Sequence, residues 1–198
     1  LPDTHFDETH ALSWQLAVDA YDGRMKDIIH ALKYDRRQSI SPALGALMRE
    51  AGAAMLRDAD GVVPVPLHPW RQFRRGFNQA EALAVHLGPP VMPLLKRVRH
   101  TRAQVDLPRE QRLENVREAF ALDKPEGLSP RGQRSPRGHR SDDGPSCGDG
   151  PLGPSIIVLI DDVSTTGATL ESCARVLKAA GVREVRALTA ARVVNARR

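Results

Sequence analysis

The sequence predicts an α/β fold, a parallel sheet flanked by helices, with an N-terminal helical region and a disordered insertion. Three observations carry that expectation. IIVLI at residues 156–160 is a continuous aliphatic run of the kind buried on both faces of a parallel sheet. Strand-like and helix-like patterns alternate along the chain, which favours parallel pairing with crossover helices. Between Pro125 and Ser155, 18 of 31 residues are Pro, Gly or Ser and no apolar period appears, so ordering that stretch would lose entropy without core burial in return.

The elements follow in order. Met25, Ile28, Ile29 and Leu32 recur at i, i+3, i+4 and i+7, which predicts an amphipathic helix over residues 22–37. A second helix is expected over 42–57, with Pro42 at its start and Leu44, Leu47 and Met48 apolar. Gly61 opens VVPVP, a strand cut short by its prolines. LHPWRQFRR reads as a loop, and GFNQAEALAVHL as a helix with Ala80, Leu83, Ala84 and Leu87 on its apolar side. VMPLL, residues 91–95, is a strand candidate, and PREQRLENVREAF, from Pro108, a charged helix. After IIVLI come the helix LESCARVLKAAG, with Gly181 as its cap, and the returning strand VRALTAARV. The resulting division is a helical region at 1–58, a first half of the core domain at 59–123, the insertion at 124–154 and a second half at 155–198.

Charge is unevenly distributed. The chain carries 29 Lys and Arg against 24 Asp and Glu, net +5. Residues 1–23 hold five acids and no Lys or Arg, whereas residues 70–118 hold ten basic residues and five acids, equal to the whole excess. Such a field suits a polyanion, either nucleic acid or a polyphosphorylated small molecule. Aromatic residues make up only 4% of the chain, which argues against extended base-stacking platforms and favours phosphate recognition. No apolar run is long enough to span a membrane, and the first residues carry acid where a secretory signal carries base, so a cytoplasmic chain without membrane insertion is expected. Cys147 and Cys173 provide neither a disulfide framework nor a four-cysteine zinc site.

The most informative stretch is IIVLIDDVSTTGATL. A buried strand leads into adjacent carboxylates, Asp161 and Asp162, and a Ser/Thr/Gly loop then opens the next helix. Unpaired N–H groups and the positive end of the helix dipole together favour a phosphate monoester at that loop. Gly167 permits close backbone approach, and the hydroxyls of Thr165, Thr166 and Thr169 add donors. Carboxylates beside a bound anion are unfavourable unless they accept from sugar hydroxyls or hold a metal. Together these features describe a ribose 5-phosphate site beyond the carboxyl end of a parallel strand. No Lys follows Gly167, which excludes the common nucleotide P-loop, and G-x-G-x-x-G is absent. A merely capped helix needs a Ser or Thr but not the two acids.

VLIDDVSTTGAT resembles the phosphoribosyl pyrophosphate (PRPP) signature of type I phosphoribosyltransferases. Together with YDGRMKDIIHALKY, VVPVPLHPWRQFRRGFNQAEALA and LLKRVRHTRAQVDLPREQRLENVREAF, it is similar to the ComF/GntX family across about residues 21–193, apart from the insertion. The resemblance implies a type I phosphoribosyltransferase-like domain in which Asp161 and Asp162 bind ribose hydroxyls. Thr165, Thr166, Gly167, Ala168 and Thr169 would hold the 5-phosphate. It further implies Mg²⁺, reached by Asp161 and Asp162 indirectly or through PRPP. Pyrophosphate would lie near Leu67, His68, Lys96 and Arg97, with Arg74 and Arg75 assisting its departure alongside the two aspartates. The implied function is PRPP binding with transfer or release of the 5-phosphoribosyl group to an acceptor that the motif leaves open. The alternative is a non-catalytic, PRPP-responsive or single-stranded-DNA-handling protein of natural competence. Many family members carry an N-terminal cysteine zinc finger, whereas this chain has no Cys before Cys147; either that module is lost or the sequence begins after it.

Overall fold

The computed structural model describes residues 4–5, 9–34, 37–67, 69–98, 119–123 and 154–194. Residues 124–153 of the insertion expected at 124–154, residues 108–118 of the helix expected at 108–120, Cys147 and His68 lie outside the described residues.

A five-stranded sheet forms the centre, in the order β1-β2-β7-β6-β3. β1 is Thr4–His5, β2 Trp14–Ala20, β3 Gly61–Pro64, β6 Ile156–Ser164 and β7 Glu184–Arg192. All neighbours pair in parallel except the two-residue β1, which is antiparallel to β2. The expected α/β architecture is therefore present. The N-terminal region is not purely helical, because β2 joins the sheet beside β7 with Leu16 opposite Leu188.

β6 is central because nearly every residue along it is buried, with Ile157, Val158, Leu159 and Ile160 fully so. Side chains alternate between the two faces of a strand. Ile157 and Leu159 accordingly pack with Leu170, Cys173 and Leu177 of α6 (Ala168–Ala179), while Val158 and Ile160 pack with Ile29 and Leu32 of α1 (Gly23–Tyr34). Truncating one of these aliphatics to Ala costs about 2–5 kcal/mol.

Several local expectations change. The second helix is interrupted at Gly52, giving α2 (Ser41–Ala51) and α3 (Ala53–Leu56). A Cβ at Gly52 would come within 2.7 Å of Leu188, so the break lets the chain approach the sheet closely. Of the three apolar residues named for that helix, Leu44 and Met48 are buried and Leu47 is half exposed. Pro69–Arg75, expected as a loop, forms α4; its leading proline has the backbone angle and missing N–H that a first helical turn tolerates. α5 (Gln79–Ala84) buries Ala80, Leu83 and Ala84 as expected. Only Val91 of VMPLL bridges to the sheet, at Val62. The chain then turns into β4 (Leu95–Arg97), which pairs antiparallel with β5 (Phe120–Leu122) in a separate two-stranded ribbon. Phe120 is therefore strand and not the end of a helix. Among the described residues, no helix is long and apolar enough to cross a membrane.

Candidate functional site

The strand period decides what the adjacent acids do. β6 runs on through Ser164, so Asp161 and Asp162 sit within its last turns of pleat and project to opposite faces. Asp162 falls on the α1 face, where Lys33 Nζ lies 2.9 Å from its Oδ2 and both side chains are largely buried. Asp161 falls on the α6 face, against the loop that opens that helix. It keeps a solvent-facing edge but is surrounded by protein, and its Oδ1 accepts from the Asp162 backbone N–H at 2.8 Å. Desolvation, followed by repulsion from Asp162, pushes the Asp161 carboxyl up to about 7, although Lys33 and Arg97 act in the opposite direction.

Both acids border one cavity of about 160 Å³ at the carboxyl end of the sheet. Its far side is the segment after β3, Val65, Pro66 and Leu67, together with Arg75 and Arg97. Buried Asn78 fixes that segment, donating from Nδ2 to the Val65 carbonyl at 3.1 Å while its Oδ1 accepts from Ala80 N–H and caps α5. Gln79 accepts from Arg75 Nη1 at 2.9 Å and so aims the guanidinium. Arg97 arrives from the β4–β5 ribbon and lies over the Phe120 ring, 5.3 Å from its centroid. Three cations thus face two carboxylates, one of which is readily protonated, leaving the cavity with an excess of positive charge.

A second, smaller cavity of about 30 Å³ is lined by Thr165, Gly167, Ala168 and Thr169 and shares Asp161 and Thr169 with the first. Gly167 has φ +77°, the left-handed region that favours glycine, and places the α6 N-terminus toward this cavity. Behind the loop, Gln15 Nε2 donates to Ser164 Oγ at 2.9 Å, so β2 supports the point where strand becomes loop.

The structure gathers Asp161, Asp162, Thr165, Gly167, Ala168, Thr169, Leu67, Arg75 and Arg97 around the two cavities. Thr166 is exposed at the loop tip, where its Oγ1 accepts weakly from Ala168 N–H at 3.4 Å. Lys96 points outward and pairs with Asp123 at 3.2 Å, and Arg74 lies over Trp70; neither lines the cavities. Sequence reasoning missed Lys33, Asn78 and Gln79. The signal for Lys33 was a lone cation on the last turn of an otherwise amphipathic helix. Asn78 before an alanine-rich helical run was a readable N-cap.

The donor set also bears on metal binding. Among the described residues no three His, Cys, Asp or Glu side chains gather. The two aspartates project to opposite faces and one already holds Lys33. These residues suit a magnesium ion carried in on ligand phosphates and retaining its waters, not a cage made of protein ligands.

Most of this chain is similar in sequence to known proteins. Competence protein F of Haemophilus influenzae is 28% identical over 87% of this chain and 71% of its own length. The DNA utilization protein YhgH of Escherichia coli K12 is 30% identical over 83% of this chain and 66% of its own. Competence protein ComFC of Streptococcus pneumoniae is 28% identical over 89% of this chain and 67% of its own. The chain belongs to the ComF family. It spans about two thirds of the length of these relatives. No family model matches the chain.

Proposed function

We propose that this ComF-family chain binds PRPP with Mg²⁺ at the carboxyl end of β6 and acts in DNA uptake and utilisation, the setting named for its relatives. The observation that carries the PRPP reading is the pair of adjoining cavities joined at Asp161 and Thr169, one sized for a phosphate and the other cationic and larger. The 5-phosphate occupies the loop at 165–169, where backbone N–H groups and the α6 dipole meet it. Asp161 and Asp162 accept hydrogen bonds from the ribose hydroxyls, and the diphosphate extends toward Arg75, Arg97 and the segment at 65–67.

This arrangement favours displacement at the anomeric carbon. As the bond to pyrophosphate lengthens, positive charge grows on the ribose ring and negative charge on the departing oxygen. Arg75 and Arg97 are positioned to stabilise the latter without reorganising, and the two carboxylates lie on the sugar side. Bound magnesium would neutralise further charge on the leaving diphosphate. Asn78 and Gln79 hold the loop and Arg75 in place, which is the positioning contribution to such a reaction.

Isothermal calorimetry with PRPP, with and without Mg²⁺, tests binding. Wild-type protein should give saturable heat that the double variant Asp161→Asn, Asp162→Asn loses, and no heat from wild type at millimolar PRPP would reject the reading. A pyrophosphate-release screen over bases, amines and single-stranded DNA then separates a transferase from a PRPP-responsive binder.

A further inference from the structure

The helix α4 has two faces with different chemistry. Arg75, at its end, turns inward to the cavity and bonds Gln79. Trp70 and Phe73, three residues apart on one side of the helix, turn outward, 58% and 88% exposed; Phe73 is the most exposed large apolar side chain among the described residues. The Arg74 guanidinium lies 5.6 Å from the Trp70 ring centroid. The helix carries three arginines and no acid, within the stretch that holds the chain's whole net charge.

Exposed rings interleaved with arginine fit a partner that has flat apolar faces and phosphates in alternation. Unpaired nucleobases on a phosphodiester backbone have that chemistry: bases stack on rings while guanidinium groups meet phosphates. In a duplex the bases are already stacked and the rings find no partner. The low aromatic content of the chain argues against extended stacking platforms; the structure nevertheless places two of the eight aromatics on one turn beside the cationic cavity.

We propose that Trp70, Phe73 and Arg74 on α4 form a stacking platform for single-stranded DNA, with the strand's phosphates running past Arg75 at the cavity mouth. This rests on the DNA-handling half of the function proposed above and is independent of the PRPP half.

Fluorescence anisotropy with a labelled oligothymidylate tests it. The double variant Trp70→Ala, Phe73→Ala should bind at least about tenfold more weakly than wild type, and an unlabelled duplex should compete poorly. Calorimetry on the same variant should return an unchanged PRPP affinity, showing that the fold and the cavity are intact. The chain has two tryptophans, so in a Trp14→Phe variant all tryptophan emission comes from Trp70, and the oligonucleotide should quench it. The proposal is overturned if wild type ignores the oligothymidylate, if it prefers duplex, if the double variant binds as wild type does, or if Trp70 emission does not change. It is equally overturned if the substitutions abolish only self-association. PRPP heat that persists through any of these outcomes leaves the PRPP reading standing.

Discussion

The two ends of the central sheet carry charge to opposite purposes. At the amino end, Arg186 is largely buried and its hydrogen bonds are closed within the protein. Its guanidinium donates to both Asp58 oxygens, to Glu184 and to the Met55 carbonyl, and it lies over Trp14. Asp60 accepts from the backbone N–H groups of Ser155 and Ile156 at the start of β6. At the carboxyl end, five charged side chains surround open space, Lys33 and Asp162 form an ion pair, and Asp161 is held where protonation is easy. The first arrangement clamps helix α3 and β7 together. The second sets charged side chains around a cavity.

Each end can be broken separately. The largest expected effect is on binding: Asp161→Asn should weaken PRPP affinity by on the order of 100-fold, the loss of charged hydrogen bonds to the sugar, read by calorimetry. The same substitution should stabilise the unliganded fold. Because the folded Asp161 is raised to about 7, it binds a proton more tightly folded than unfolded, so its favourable contribution is complete below about pH 4 and is lost as pH rises through 7. Denaturant titration at pH 8 should therefore show Asp161→Asn more stable than wild type by on the order of 2–4 kcal/mol, with the difference vanishing at pH 4.

Arg186→Met should do the reverse, lowering stability by about 1–3 kcal/mol while leaving PRPP affinity at 25 °C unchanged. Arg186 holds the Asp58 carboxyl below its ordinary range, so the stabilisation it gives is present at neutral pH and lost as pH falls through the folded Asp58 value. Wild type should lose that increment in acid, and the Arg186 variant has none to lose. A smaller effect is expected at the loop: Gly167→Ala forces a Cβ onto a left-handed backbone, costing about 1 kcal/mol in the unfolding midpoint. If the Arg186 variant lost PRPP binding at full fold, or Asp161→Asn destabilised the protein at pH 8, the contrast between the two ends would fail.

The sequence made the second half of the site readable because its signals are local. IIVLI, the acid pair, Gly167 and the following helix all fall within one strand-loop-helix unit, where periodicity and capping rules apply directly. β2 was missed although Trp14, Leu16 and Val18 alternate with buried Gln15 and Ala17, because the expected N-terminal region was read from the helical periods that follow it. α4 was missed because two prolines flank His68 and suggested an irregular loop. Lys33 stands out locally as a cation on the last turn of α1, but its role does not: its partner Asp162 meets it only after the sheet brings distant segments together. The opposite facing of the two aspartates follows from strand periodicity, but only once β6 is known to continue past Ile160.

The central claim is that the adjoining cavities form one site for a sugar carrying phosphate at both ends. Parallel calorimetric titrations with PRPP, ribose 5-phosphate and pyrophosphate, all with Mg²⁺, test it most directly. The account predicts that PRPP binds more tightly than either fragment and that each fragment competes with it. PRPP binding no tighter than pyrophosphate alone, with ribose 5-phosphate failing to compete, would contradict it.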